Sequence, residues 1–302
     1  MTEAVLYDPA GPRGRRRILL GSIAGVVGVA AVVGVAVARL AAKGSFDAEL
    51  WRVLTEGAVQ RLIGRGLVAT LRAAVVAMVL AMAVGAVLAV GRLSRRAWLA
   101  RAAGAWVELF RGLPLLLLIF FLFLALPAVG ITISVFWALV AGLTLYNGAV
   151  LGEIFRAGIL SLPMGQTEAA YAIGLRRGQT LRLILIPQGV RRMLPALISQ
   201  LVTLLKDTSL GVLIFYEELL RRARISAEFF HNPVHSVALV ALVYIAVNVM
   251  LSRVATRMEA RQRRRYRAGG IAVSGIDELA VLSATAGAMQ AERGARGAGR
   301  PT

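Results

Sequence analysis

Residues 112–152 read GLPLLLLIFFLFLALPAVGITISVFWALVAGLTLYNGAVLG, a stretch without one formal charge. A bilayer core about 30 Å thick is crossed by roughly 20 apolar residues in a helix, so the stretch is long enough for two crossings. Proline and glycine in Leu126-Pro127-Ala128-Val129-Gly130 divide it. One span is expected over Trp106–Leu126 and the next over Ser134–Gly158. Working outward, the same criterion places a span at Ile18–Ala38, which is uncharged up to its end, and others at Gly66–Gly91, Pro195–Phe215 and Ser236–Ser252. The expectation is an all-α polytopic membrane protein of six helices. The chain has 302 residues and is 58% hydrophobic, against about 45–50% for soluble domains, and its mean hydropathy is +0.72. The first apolar run exceeds the roughly 7–15 residues of a signal-peptide core and reads as a retained helix.

A net charge of +19 would suggest nucleic acid for a soluble chain. Here the arginines gather between apolar runs, so no nucleic-acid partner is expected. Arg13, Arg15, Arg16 and Arg17 precede the first span. Arg92, Arg95, Arg96 and Arg101 follow the second, and Arg176, Arg177, Arg182, Arg191 and Arg192 follow the fourth. The run Arg253, Arg257, Arg261, Arg263, Arg264, Arg265 and Arg267 follows the sixth. These segments alternate onto one face of the membrane, which the positive-inside rule makes the cytoplasm, together with both termini. Some of this charge is available to anionic membrane lipid. The resulting division is a basic tail 1–17, a helix 18–38, an external segment 39–65, a core 66–255 and a tail 256–302 expected to be disordered. Within 39–65, Leu50, Val53, Leu54 and Ala58 suggest one face of a short amphipathic helix.

The longest basic loop, residues 160–190, carries the strongest local signals. Pro163 and Gly165 are expected to stop the preceding helix, Thr167 to cap a new one, and Gly174 to end it in the left-handed conformation. That leaves about two turns, too short to be stable alone in water. Small Ala169 and Ala170 would let a partner surface approach closely. A short helix held between two spans has the form of a docking element.

Other polar residues admit two readings. Lys206 and Asp207, with Thr208 and Ser209 beside them, fall in the fifth span, where an ionisable group costs roughly 2.5–3.5 kcal/mol. They line a pathway or gate, or they fix helix packing. Asn147 and Asn248 line the pathway or bridge helices. Glu153 with Arg156, and Glu108 with Arg111, stand three apart and suggest local ion pairs. His231 and His235 lack an evident third ligand, so no metal is expected. Gly21 and Gly25 form a weak small-residue motif. The chain has no cysteine. Its lysines, Lys43 and Lys206, do not follow glycine, so it has no phosphate-binding P-loop.

In the basic loop, Glu168-Ala169-Ala170, Gly174, Ile184 and Pro187 stand at the spacing of the EAA motif of ABC importer permeases. Ile186 replaces that motif's leucine. Val107–Pro114, Gly152–Gly158 and Leu205-Lys-Asp-Thr-Ser-Leu210 resemble further segments of the polar amino-acid uptake branch, and the resemblance runs from about Gly66 to Arg257. It implies a MetI-like core of five helices with one helix added in front. It also implies a second permease subunit, identical or different, an ATPase homodimer that carries ATP and magnesium and receives the loop helix, and an extracellular substrate-binding protein. This chain would then be no enzyme and would bind no cofactor itself. The stretch Val5–Arg17 is similar to the start of actinobacterial glutamate-importer permeases, which implies glutamate, glutamine or aspartate as substrate. A cationic amino acid stays open. So does an ion-gradient transporter, which would not need the EAA loop. A membrane enzyme would need a convergent catalytic set, and none is evident.

Overall fold

The computed structural model describes residues 11–254 together with 256 and 257; all of the expected disordered tail except 256 and 257 lies outside them, as do residues 1–10. Within these residues the chain is helical. Five helices are long and apolar enough to cross a membrane, and a sixth crossing is reached if one bent helix pair counts as a single broken span. In lipid every backbone N–H and C=O needs an internal partner, and a helix supplies it.

In chain order, α1 spans Pro12–Ala42, α2 Ala48–Arg52 and α3 Gly57–Arg92. Helix α4 (Ala97–Gly112) and α5 (Leu115–Ala128) follow, then α6 (Val135–Leu160) and the short α7 (Met164–Ala172). Helix α8 (Arg177–Gln179) leads through a π-helical turn, Thr180–Leu185, into α9 (Ile186–Asp207), which tightens into a 3-10 stretch at Thr208–Ile214. Helix α10 covers Leu219–Phe230 and α11 Pro233–Val254.

The expected third span is not one straight helix. α4 and α5 meet at 97°. The reason is Pro114, which has no N–H and whose ring disfavours helical angles in the residue before it. Leu113 is accordingly extended. Pro127, expected to mark the break, lies in the last turn of α5. The helix ends just beyond it, where Gly130 adopts φ +84°. There Gly130 N–H bonds the Pro127 carbonyl and Ile131 N–H bonds that of Leu126, the double bond of a Schellman turn. The other spans exceed their expected limits. α3 begins at Gly57 rather than Gly66. The helix containing the fifth span runs from Arg177 to Ile214, with Pro195 in its interior.

The described chain falls into two units. One contains the residues up to Arg65 with Arg222–Val240. In it α1 buries no residue, so its Gly21 and Gly25 touch nothing. The amphipathic segment is α2 followed by a 3-10 turn at Val53–Thr55. Glu56 is extended, with ψ 135°. That break shifts the register, so Val59, not Ala58, is the buried residue. His235 is buried with Nε2 2.6 Å from the Ser45 carbonyl and the Trp51 ring edge-on at 4.7 Å. It fastens this segment, as does Asn232 on the Leu50 carbonyl.

The other unit comprises Gly66–Arg221 and the described residues from Ala241. Its hub is α6, whose start is capped by Ser134, the hydroxyl accepting from Trp137 N–H at 3.4 Å. α6 packs against α4, α5 and α9, and glycines stand at its close approaches to α5 and α9. A Cβ on Gly142 would lie 2.6 Å from Ile119 of α5, and one on Gly158 would lie 2.6 Å from Met193 of α9. The contact with α3 brings backbone to backbone. A Cβ on Gly85 would fall 2.9 Å from Leu151 Cβ, 3.0 Å from the Gly152 nitrogen and 3.1 Å from the Gly148 carbonyl. Small residues spaced by four let membrane helices meet in this way.

At the other end of this unit, Phe215 takes φ +64° and the chain turns into α10. The fully buried Glu218 holds that turn. Its carboxylate accepts from Leu220 N–H at 2.8 Å, Arg221 N–H at 2.7 Å and the Tyr244 hydroxyl at 3.0 Å. Leu219 N–H donates to Thr70 Oγ1 at 3.0 Å, and the Tyr216 hydroxyl to the Ala69 carbonyl at 3.1 Å. Burial pushes the Glu218 carboxyl above the ordinary carboxylate range, against the pull of these bonds.

Two outcomes follow from this packing. Gly85→Val should destabilise the solubilised protein by about 1–3 kcal/mol, the cost of overpacking. Gly21→Val, with open space around it, should leave the melting temperature unchanged. For Glu218, the folded state holds its proton more tightly than the unfolded chain. Its contribution is complete below the ordinary carboxylate pKa and is lost as the pH rises through the folded value. Thermal melts taken upward from the ordinary carboxylate pKa should show a fall in stability with rising pH that Glu218→Gln lacks.

Candidate functional site: the α7 loop and a polar cavity

The EAA loop folds as α7 and its anchors. α7 begins at Met164, three residues before Thr167. Pro163 flanks its start with no side-chain cap, and Gly165 lies inside the helix. A helix tolerates proline where its missing N–H has no partner to lose, so Pro163 sets the start and Thr167 is not the cap. The C-terminus is as expected. Gly174 adopts φ +81°, Gly174 N–H bonds the Tyr171 carbonyl at 2.9 Å and Leu175 N–H bonds that of Ala170 at 3.0 Å. This is a second Schellman turn, at a position that disfavours any side chain.

The two small residues of the motif face opposite ways. Ala170 is buried against its own chain, and Ala169 is exposed. The outward surface also carries large apolar groups: Met164 at 79% exposure, Ile173 at 75% and Tyr171 at 44%. Glu168 lies among the exposed residues of this helix. Ile184 sits half-buried in the π turn and Pro187 in the first turn of α9. A proline ring crowds the carbonyl four residues earlier, here Leu183, and the wider π turn relieves that clash. Residues 160–190 are therefore mostly helix.

Polar bonds fix this frame to the spans. Arg177 donates to the Leu93 carbonyl just beyond α3 at 2.6 Å. Arg192 of α9 donates to the Ser161 carbonyl at the end of α6 at 2.5 Å. Gln188 donates to Gln166 of α7 at 3.2 Å. Nearby, Glu153 pairs with Arg156 at 2.9 Å as expected, and also with Arg92 of α3 at 3.3 Å. The expected Glu108–Arg111 pair is not formed.

Glu108 and Arg111 instead line an open cavity of about 740 Å³ with Tyr146, Gln200, Thr203 and Asp207. Three helices, α4, α6 and α9, bring these residues together. Asp207 is the one expected pathway residue in the lining. Lys206, its neighbour about 100° round the helix, is exposed. The two close α9, just before the 3-10 stretch. Thr208 and Ser209 spend their hydroxyls on the carbonyls of Leu205 and Lys206, at 2.6 and 2.7 Å. Asn147 stands one layer behind the lining. It is fully buried, donates to the Leu143 carbonyl at 2.8 Å and accepts from Gln200 at 2.6 Å. The sequence signal for Glu108 and Arg111 was present, and the packing of α4 on α6 was the missing information.

Known proteins share this architecture. Residues 81–264 match the family of binding-protein-dependent transport system inner membrane components. The glutamate transport system permease protein GluD of Corynebacterium glutamicum is 40% identical over 243 residues, 79% of this chain and 89% of that one. The probable glutamine ABC transporter permease protein GlnP of Bacillus subtilis is 42% identical over 202 residues, 65% of this chain and 92% of that one. The crystal structure of an amino acid ABC transporter with histidines superposes with a TM-score of 0.64 at 28% identity, over 67% of this chain and 94% of that one. The MetNI methionine ABC transporter, at 21% identity and a TM-score of 0.59, shares the fold over 69% of this chain and 99% of that one. The chain belongs to the family of binding-protein-dependent transport system inner membrane components, and is a multi-pass permease subunit of a bacterial ABC importer.

Proposed function

We propose that this permease moves an acidic or amide amino acid, with glutamate as the first choice, and that a separate ATPase homodimer drives it by gripping α7. The observation that carries the reading is α7 itself. It is a short helix between two spans, ended by a left-handed glycine and exposing Met164, Tyr171 and Ile173. On this reading Glu168 and Ala169 lie on the docking face, while Ala170, Gly174, Ile184 and Pro187 set its shape. The face and both chain termini lie on the cytoplasmic side, as the arginine distribution suggests. A second permease subunit, identical or different, completes the pathway, and an external binding protein delivers the substrate. ATP and magnesium belong to the ATPase.

The cavity supports an amino acid as the substrate, and the choice of an acidic or amide side chain rests on sequence similarity alone. The lining offers one guanidinium, Arg111, and two carboxylates, Glu108 and Asp207, with amide and hydroxyl groups between them. An amino acid needs complements of both signs, a cation for its carboxylate and an anion for its ammonium. Asn147 holds Gln200 in place for that lining, and Thr208 and Ser209 shape the end of α9. Lys206, exposed on this subunit, is available to the second permease. Similarity to glutamate and glutamine permeases favours the acidic and amide substrates over a cationic one. The deciding experiment is reconstitution with the ATPase and binding protein in liposomes. Uptake of labelled glutamate should require ATP and exceed uptake of arginine. Arginine preferred over glutamate would overturn the substrate. Uptake driven by an ion gradient without ATP would overturn the mechanism.

A further inference from the structure

Two neighbouring cavities in the larger unit are parts of one feature. The first, about 240 Å³, is an apolar slot between α3, α6 and α9, walled by Met82, Phe155, Val190 and Leu197. Water gains nothing there, because an ordered water needs two to four polar partners. The second, about 630 Å³, adjoins the slot, sharing Val90, Leu93, Ile159 and Leu181 with it. Its rim is polar and basic: Ser94 and Arg95 from the α3–α4 turn, Thr167 and Tyr171 from α7, and Arg177. Arg177 uses an N–H on the Leu93 carbonyl and has others to offer. Arg95 forms no ion pair with a carboxylate among the described residues. Trp98, 65% exposed near the start of α4, is the kind of ring that sits at the membrane interface.

We propose that this feature binds one anionic phospholipid, with an acyl chain in the slot and the phosphate at Arg95 and Ser94. The slot lies below the roughly 300–1,000 Å³ of a typical small-molecule site, and a slim alkyl chain suits it. The basic rim supplies the charge complement, since juxtamembrane arginines draw anionic headgroups. The bound headgroup would touch the α3–α4 turn and α7 together, and so stiffen the frame through which α7 is anchored. The site lies outside the polar cavity and its occupancy does not depend on the identity of the transported substrate.

The test uses the full-length chain in phosphatidylcholine nanodiscs doped with photoactivatable phosphatidylglycerol or, in a parallel arm, photoactivatable phosphatidylcholine. Cross-linked peptides are mapped by mass spectrometry. Phosphatidylglycerol should label residues 90–99 and 177–185, and Arg95→Glu should cut that labelling by about fivefold or more. Leu181→Trp, which plugs the throat shared by the two cavities, should cut labelling by both lipids. Excess inorganic phosphate should not compete. Equal labelling by the two lipids, or labelling unchanged in Arg95→Glu, would overturn the proposal. So would loss of labelling on adding phosphate, because the rim would then be a site for soluble anions. Arg95 and Leu181 are both at or near the surface, and size-exclusion profiles of the variants identify any that misfold.

Discussion

The meeting of α3 and α6 at Gly85, Gly148 and Gly152 is the contact on which the rest of the larger unit is built. With no Cβ at these positions the two backbones come within van der Waals contact, and in lipid such packing, not the hydrophobic effect, holds helices together. Both candidate regions hang from this seam. Asn147, next to Gly148, fixes Gln200 in the lining of the polar cavity. Glu153, next to Gly152, pairs with Arg92 of α3 and Arg156 of its own helix. α6 then ends at Leu160, three residues before Pro163 and α7.

Because α6 is rigidly seated, α7 has few ways to move alone. Arg192 ties α9 to the end of α6, Gln188 ties it to α7, and Arg177 ties the start of the long helix to α3. A pull on α7 is therefore shared by α3, α6 and α9. Of these, α6 and α9 line the polar cavity together with α4. On the proposed function, this is the mechanical path from the ATPase to the pathway, and it uses short polar bonds whose geometry is fixed by helix ends.

Much of this was legible in the sequence because the bilayer imposes a simple length rule. The apolar runs located each crossing, and Gly174 was readable as a left-handed terminator because only glycine takes that conformation cheaply. Helix ends beyond the apolar core were not legible. α3 runs on to Gly57 and α9 is continuous through the π turn, since helix propensity does not stop where hydropathy does. The 97° bend was not legible, because Pro114 and Pro127 lie in the same apolar run and no local pattern says which of them turns the chain. The cavity was only partly visible. Asp207 was readable as a charge within a span, but Glu108 and Arg111 read as a local ion pair, and only the packing of α4 on α6 brings them to the cavity that Asp207 also lines. The burial of Glu218 and its tie to Tyr244 depend on contacts between distant segments, which no local pattern records.

On the proposed function, an ATPase recognises the geometry of α7 that Gly174 fixes. The most direct measurement is retention of the ATPase partner on affinity-purified permease carrying Gly174→Asp, beside Gly178→Asp, which has ordinary backbone angles and open space around it. Forcing an aspartate into the left-handed region costs at most roughly 1 kcal/mol, because Asp tolerates that conformation better than most side chains. About fivefold less ATPase is expected on Gly174→Asp, with membrane yield unchanged and Gly178→Asp like the unmodified chain. Full retention by Gly174→Asp, or equal loss from both variants, would contradict this recognition.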